Sequence, residues 1–210
     1  MSWPKDRKQA TRQRIVEAAA AAFRERGIAD VGVAEIMRRA DLTHGGFYAH
    51  FDSKDDLLAA ALDHAATQVT SMLETAAKNR PGPDQLLNVA MTYLSAPHLI
   101  HPESGCPVAA LGPELARSSK KVKQKLAAAI RTRLKNLSNL ISSPVPLEKR
   151  RQRTAGTVAC MVGGLVLARG LKEAEALELL KDCHAFLRDA LADSNVGSHE
   201  LKERSNGSPA

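Results

Sequence analysis

Between Gly32 and Leu58 the chain reads GVAEIMRRADLTHGGFYAHFDSKDDLL, which packs three helix signals and two tight breaks into under thirty residues. Val33, Ile36, Met37 and Ala40 recur at the spacing of one helical face. Asp41-Leu42-Thr43 interrupts that face after only about two turns. Thr43 is expected to cap a second short helix through its hydroxyl, and Phe47 supplies that helix with a core anchor. A short helix, a three-residue turn and a second short helix form the helix-turn-helix arrangement, whose second helix can lie in the DNA major groove. Thr43, His44, Gly45, Gly46, Tyr48 and His50 cluster where that second helix faces outward.

The same residues carry a family resemblance. Thr11-Arg12-Gln13-Arg14-Ile15 forms an opening helix, and Phe23, Gly27, Ile36, Gly45, Phe47-Tyr48, His50-Phe51, Ser53-Lys54 and Leu57 follow at fixed spacing. From about Lys8 to Gln68 the chain resembles the DNA-binding domain of the TetR family of transcriptional regulators. Many positions must agree at once, which makes the signal more specific than a lone short motif. The resemblance implies an all-helical, homodimeric repressor that a small ligand releases from DNA.

The bulk composition fits an all-α protein. Hydrophobic residues make up 44% of the 210 and aromatics only 3%. Alanine and leucine carry the apolar content, which favours helices over sheets. No stretch reaches the ~20 apolar residues that a membrane span needs, and the first fourteen residues lack an apolar segment of signal-peptide type. Cys106, Cys160 and Cys183 are far apart and odd in number, which suggests reduced thiols in a cytoplasm rather than a disulfide frame. The expectation is a cytoplasmic protein with no membrane partner and no cofactor.

Net charge is +7, but the excess does not mark the reading head. Residues 1–60 hold ten Lys or Arg against nine Asp or Glu, whereas residues 117–153 hold twelve against the single acid Glu148. Lys120, Lys121, Lys123 and Lys125 alternate with Val122, Leu126, Ile130, Leu134 and Leu137 at helical spacing, so they read as the solvated face of an amphipathic helix.

The pattern predicts a first helix over about 7–26, ended by Gly27. The helix-turn-helix pair follows. A fourth helix, opened by Ser53 with Asp56 as a capping-box variant, continues to Asn79, where Pro81-Gly82-Pro83 stops it. Asp84 is expected to cap a fifth helix that Pro97 ends. Residues 96–113, with four prolines and two glycines, read as loop with a short helix near Val108–Leu111. Further helices are expected over about 118–141, 147–168 and 172–192, with a break at Ser142–Pro146. The domains read as a helix-turn-helix head (1–53), a ligand-binding and dimerisation domain (54–192) reached through the long fourth helix, and a polar, disordered tail (193–210).

For DNA contact, the resemblance implies phosphate contacts at Thr43, Tyr48, His50 and Lys54, and base-edge contacts at His44, Gly45 and Gly46. Gly45 suits a close backbone approach, since it lacks a Cβ. At Gly46 the chain departs from the family, which generally has a side chain there. Paired glycines cost roughly 1 kcal/mol each relative to alanine in a helix, so the helix is expected to be frayed without DNA. Two readings of Lys5, Arg7, Lys8 and Arg12 stand: an arm for the minor groove, or a solvated leading turn. His44 likewise reads as base contact or as plain surface.

Leu177, Leu180, His184, Leu187 and Leu191 recur at intervals of three and four, a coiled-coil-like stripe that Leu179, Cys183, Phe186 and Ala190 widen. Gly156, Ala159, Cys160, Gly163 and Gly164 keep the preceding helix slim. The bare pattern fits intrachain packing as well, and the resemblance adds a dimeric four-helix interface. The regulatory body is expected to hold an apolar pocket, with Met91, Tyr93, Leu94, His98, His101, Cys106, Val108 and Leu111 as candidates. Gly105-Cys106-Pro107 resembles a subset of the family in which some members sense electrophiles or oxidants through the matching cysteine. Cys106 therefore has two readings, a small buried hydrophobe or an accessible thiolate. His98, His101 and Cys106 have loose spacing and no fourth ligand, so no metal site is expected.

No Ser, His or acid falls in a nucleophile-elbow context, and Gly163-Gly164 lacks the lysine and Ser/Thr of a phosphate loop; no catalytic residue is assigned. The function class is a DNA-binding regulator whose partners are a double-stranded operator, a second copy of the chain and a small hydrophobic or electrophilic inducer. The alternative is a helical small-molecule or redox sensor without DNA binding.

Overall fold

A computed structural model describes residues 5–82, 84–141 and 145–192, with the side chain of Lys5 excluded. Every regular element among them is helical. α1 (Lys5–Arg26) is alanine-rich and buries Ile15, Val16, Ala19, Ala20, Ala22 and Phe23. It closes at Gly27, whose φ of +89° belongs to the left-handed region and whose N–H reaches Phe23 O at 2.8 Å. The two peptide groups that flank the Ile28 Cα are held by side chains of opposite charge. Ile28 N–H donates to Glu114 Oε2 at 2.8 Å, and Ile28 O accepts from Lys54 Nζ at 2.6 Å.

α2 (Val33–Arg39) ends sharply. Leu42 N–H reaches Met37 O at 2.9 Å and Asp41 N–H reaches Arg38 O at 3.1 Å, with Asp41 at φ +54°. These two bonds around one left-handed residue make a Schellman stop. Arg14 of α1 seals it by donating to Ala40 O at 2.6 Å. A 3-10 turn, His44–Ala49, follows, and then α3 (Lys54–Asn79). Ser53 Oγ accepts from Asp56 N–H at 3.1 Å and donates to the Asp56 carboxylate at 2.9 Å, so the expected cap forms. Thr43 precedes the 3-10 turn in extended backbone, but its hydroxyl makes no cap bond. Asp84 likewise precedes α4 (Gln85–Tyr93) without a side-chain cap.

Residues 96–113 are far more helical than expected. They hold α5 (Ala96–Ile100), a 3-10 turn (Pro102–Ser104) and most of α6 (Pro107–Arg117). The prolines are the reason. Pro97, Pro102 and Pro107 occupy first or second positions of their helices, where the missing N–H costs nothing and the fixed φ favours the start. They open helices there rather than ending them. α7 (Lys120–Ser138), α8 (Leu147–Ala168) and α9 (Glu173–Ala192) complete the chain. The lysines of α7 lie outward as expected, and two are engaged: Lys121 pairs with Asp56, and Lys125 Nζ lies 2.6 Å from Asp63. The expected breaks at Pro83 and Ser142–Pro144 and the tail at 193–210 lie outside the described residues.

The described residues form two compact units, one from the stretches up to 75 and from 96 to 133, the other from 76 to 95 and from 134 to 192. In the first, α1 packs on α2, on α6 and on the 102–104 turn, and α2 packs on the 44–49 turn. In the second, α8 and α9 pair and α4 packs on both.

Candidate nucleic-acid interface

The 44–49 turn is pinned from within by one ring. Phe47 is buried in the cluster that holds Ile36, Met37 and Phe51, and its ring stacks on Phe51 at 5.8 Å between centroids. Its neighbour Tyr48 is 70% exposed and meets the edge of Phe47 at 5.2 Å. Two adjacent aromatic residues thus have opposite duties: one holds the turn and the other projects a hydroxyl into solvent.

Thr43, His44 and Gly45 are exposed beside Tyr48, and Gly46 is half-buried. A Cβ on Gly45 would meet nothing within 4 Å, and one on Gly46 would only touch Met37 Cε at 3.6 Å. Neither glycine has a positive φ. The fold therefore does not require a glycine at either position. His50 is half-buried, and its Nδ1 has no hydrogen-bond partner among the described residues. Burial holds the imidazole below its ordinary pKa, and the nearby cations Lys8 and Arg12 push the same way. Arg12 lies on the same side, its guanidinium 4.5 Å from the Phe51 ring centroid. Arg7, Lys8 and Arg12 stand on the first turns of α1, which starts at Lys5 rather than near Arg7.

Lys54 is placed differently from its neighbours. It is half-buried, its ammonium is bonded to Ile28 O, and it sits 5.8 Å from the Phe23 ring. That cation closes the end of α1 as well as flanking the outward face.

Of the pocket candidates, His98 and Cys106 belong to the first unit and Met91 and Tyr93 to the second. Cys106 is fully buried at the start of α6, and its N–H donates to His98 Nε2 at 2.9 Å. Arg133 approaches its sulfur at 3.6 Å. His101 turns instead to Glu103 at 3.0 Å. No three His, Cys, Asp or Glu among the described residues gather as metal ligands.

Sequence reasoning missed Arg24. It is 5% exposed and donates to Ala20 O, Gly105 O and Gln68 Oε1 at 2.9, 2.8 and 3.0 Å. Burial lowers its pKa to about 10. Its signal was available, because Arg24 continues the buried row Val16–Ala20 at helical spacing.

In the second unit, Leu180 and Leu187 are buried, His184 Nε2 lies 2.8 Å from Leu94 O, and Leu177 and Leu191 are half-exposed. Phe186, on the opposite side of α9, is 61% exposed. It borders a groove of about 490 Å³ that Gly156, Ala190 and Leu191 also line. Gly163 has open space where a Cβ would be. A larger cleft of about 840 Å³ lies between α7 and α8, with Leu134 and Leu147 beside Lys135 and Arg151. None of the eight pocket candidates read from the sequence lines it.

Residues 15–61 match the family model described as bacterial regulatory proteins, tetR family. Over 204 residues the chain is 26% identical to an uncharacterised HTH-type transcriptional regulator of Mycobacterium tuberculosis, spanning 94% of this chain and 99% of the relative. Over 63 residues it is 40% identical to an HTH-type transcriptional repressor of the same organism, spanning 30% of this chain and 34% of the relative. In fold it is similar to the crystal structure of a TetR-family transcriptional regulator from Cytophaga hutchinsonii, with a TM-score of 0.78 at 23% identity, over 93% of this chain and 99% of the other.

Proposed function

We propose that this chain, whose residues 15–61 match the tetR family model, is a DNA-binding transcriptional regulator of that family, a homodimeric repressor released from a palindromic operator by a small ligand or by modification of Cys106. The observation that carries the DNA reading is the division between Phe47, buried, and Tyr48, 70% exposed on the same turn. It supports the reading that the Tyr48 side of the turn faces the duplex. Thr43, His44, Tyr48 and His50 offer hydrogen bonds to phosphates and base edges on that side. Gly45 meets no steric demand from the protein, which supports a close approach of the duplex to its bare backbone. Lys54 contributes charge at the flank while it holds α1.

One such head buries too little surface for tight specific binding. A pair of heads calls for half-sites about one helical turn apart, ~34 Å. We infer pairing through α8 and α9, on the side that bears Gly163 and Phe186, with the half-exposed Leu177 and Leu191 at its margin. Leu180, His184 and Leu187 form the floor beneath. The partner is a second copy because Leu167 and Phe186, 63% and 61% exposed, are large apolar side chains on the very helices the family resemblance assigns to pairing.

Release by a small hydrophobic or electrophilic inducer involves Met91, Tyr93, His98 and Cys106 in this reading. Full burial of Cys106 favours a packing role until the helix start at Pro107 opens. A Cys106→Ser variant that still leaves the operator on treatment with a quinone removes modification at this thiol and retains the ligand route. The whole reading is tested by gel shift against the DNA upstream of the coding sequence. Binding that falls steeply with salt and is weakened in Tyr48→Ala supports it. Affinity unchanged by Tyr48→Ala and Thr43→Ala overturns the assignment of this face, and the absence of any shift overturns the reading in favour of a sensor without DNA binding.

A further inference from the structure

Two of the three cysteines, Cys160 and Cys183, have a packing place but no chemical one in the regulator reading. Cys160 and Gly164 stand one turn apart on the same side of α8. A Cβ at Gly164 would lie 2.9 Å from Cys183 Sγ, so the α9 thiol occupies the hollow that this glycine leaves. That places it against the turn bearing Cys160, and the two thiols interact side chain to side chain. Both are partly exposed, unlike the buried Cys106. The pairing of α8 with α9 holds them together in the folded chain, although 22 residues separate them in sequence.

We propose that Cys160 and Cys183 form a dithiol site which a hydroperoxide closes to an intrachain disulfide linking α8 to α9. One sulfur, as thiolate, attacks a peroxide oxygen. The O–O bond breaks, the outer oxygen leaves as water or alcohol, and a sulfenic acid forms. The second sulfur attacks the sulfenic sulfur, the S–O bond breaks, and hydroxide departs with the displaced proton as water. Two thiols lose two protons and two electrons, and one peroxide takes them up as it is reduced. An external dithiol reverses the step by exchange. Burial and the neighbouring thiol both raise the Cys160 pKa, so closure accelerates as pH rises above neutral. The site acts apart from operator binding, and its test does not depend on the DNA reading.

The experiment uses the full-length, fully reduced protein treated with stoichiometric hydrogen peroxide at pH 8, alkylated and digested without reduction. The expected product is a monomeric chain lighter by two hydrogens, with two of its three thiols lost. The peptide holding Cys160 should be joined to the peptide holding Cys183, and dithiothreitol should separate them. Cys106→Ser should keep the link, and Cys183→Ser should lose it. The proposal is overturned if the wild-type digest shows Cys160 and Cys183 unlinked while either carries a sulfinic acid. It is equally overturned if the only new bond joins two chains or involves Cys106.

Discussion

The head and the α8–α9 pair use apolar residues in opposite ways. Five of the seven aromatic residues stand before residue 52, and Phe23, Phe47 and Phe51 are buried in one cluster that hides its apolar content almost completely. The α8–α9 pair buries Met161, Leu165, Leu180 and Leu187, yet leaves Val166, Leu167 and Phe186 at the surface. A cluster that closes on itself needs no partner for stability, and its outward side is free to be polar. A helix pair that leaves large apolar side chains in water carries surface for another protein surface to cover. On the proposed reading, the two regions separate folding from assembly.

The largest test of this contrast is Phe47→Ala. Emptying the centre of a closed cluster should cost about 3–5 kcal/mol, read by chemical denaturation, and operator binding should go with it. A loss below about 1 kcal/mol would mean that the turn is held by something other than its ring. Phe186→Asp should do the reverse. Stability of the monomer should stay within about 0.5 kcal/mol, as for ordinary surface changes, while sedimentation shows loss of the dimer and operator affinity drops at least tenfold. An intact dimer moves the interface off this side of α9. Tyr48→Phe removes only a hydroxyl from an exposed ring. Affinity should fall by about 0.5–1.5 kcal/mol, the value of one hydrogen bond, with the salt slope of binding unaltered because no charge is removed.

Smaller effects sharpen the same comparison. Gly45→Ala should stabilise the free protein by up to about 1 kcal/mol, since its Cβ meets nothing, and should weaken operator binding. A gain in both would show that the backbone stays clear of the duplex. His50 supplies a pH test. Its imidazole has a lower pKa when folded, so the unfolded chain takes up a proton first as pH falls through about 6.5. Its contribution to stability is therefore present above that pH and lost below it. The thermal midpoint should fall slightly between pH 7.5 and 5.5, and His50→Gln should flatten that dependence. Operator affinity should instead rise on acidification, because phosphates favour the imidazolium.

Where the sequence carried strong periodicity, the fold was legible. α8 spans the expected Leu147–Ala168, and α1, α3 and α9 differ from expectation by one or two residues. The stretch from Ala96 was misread because proline both ends and starts helices, and only its position in the turn distinguishes the two. The Thr43 cap was a local inference that the tight 3-10 geometry does not fulfil. At the candidate site, exposure of Thr43, His44 and Tyr48 could be anticipated from the buried spacing of Phe47 and Phe51. The bond from Lys54 to Ile28 could not, because it joins residues 26 positions apart through a chain reversal. The same holds for Arg24 and Gly105, 81 positions apart.

The two peptide groups that meet at Ile28 are each polarised by a charge, the first through its N–H by the Glu114 carboxylate and the second through its C=O by the Lys54 ammonium. The Ile28 amide proton should resonate well downfield and exchange slowly with solvent, although no helix contains it. A single isotopically labelled isoleucine there would serve as a spectroscopic gauge of whether α1, α3 and α6 remain clamped, readable in solution without any probe attached.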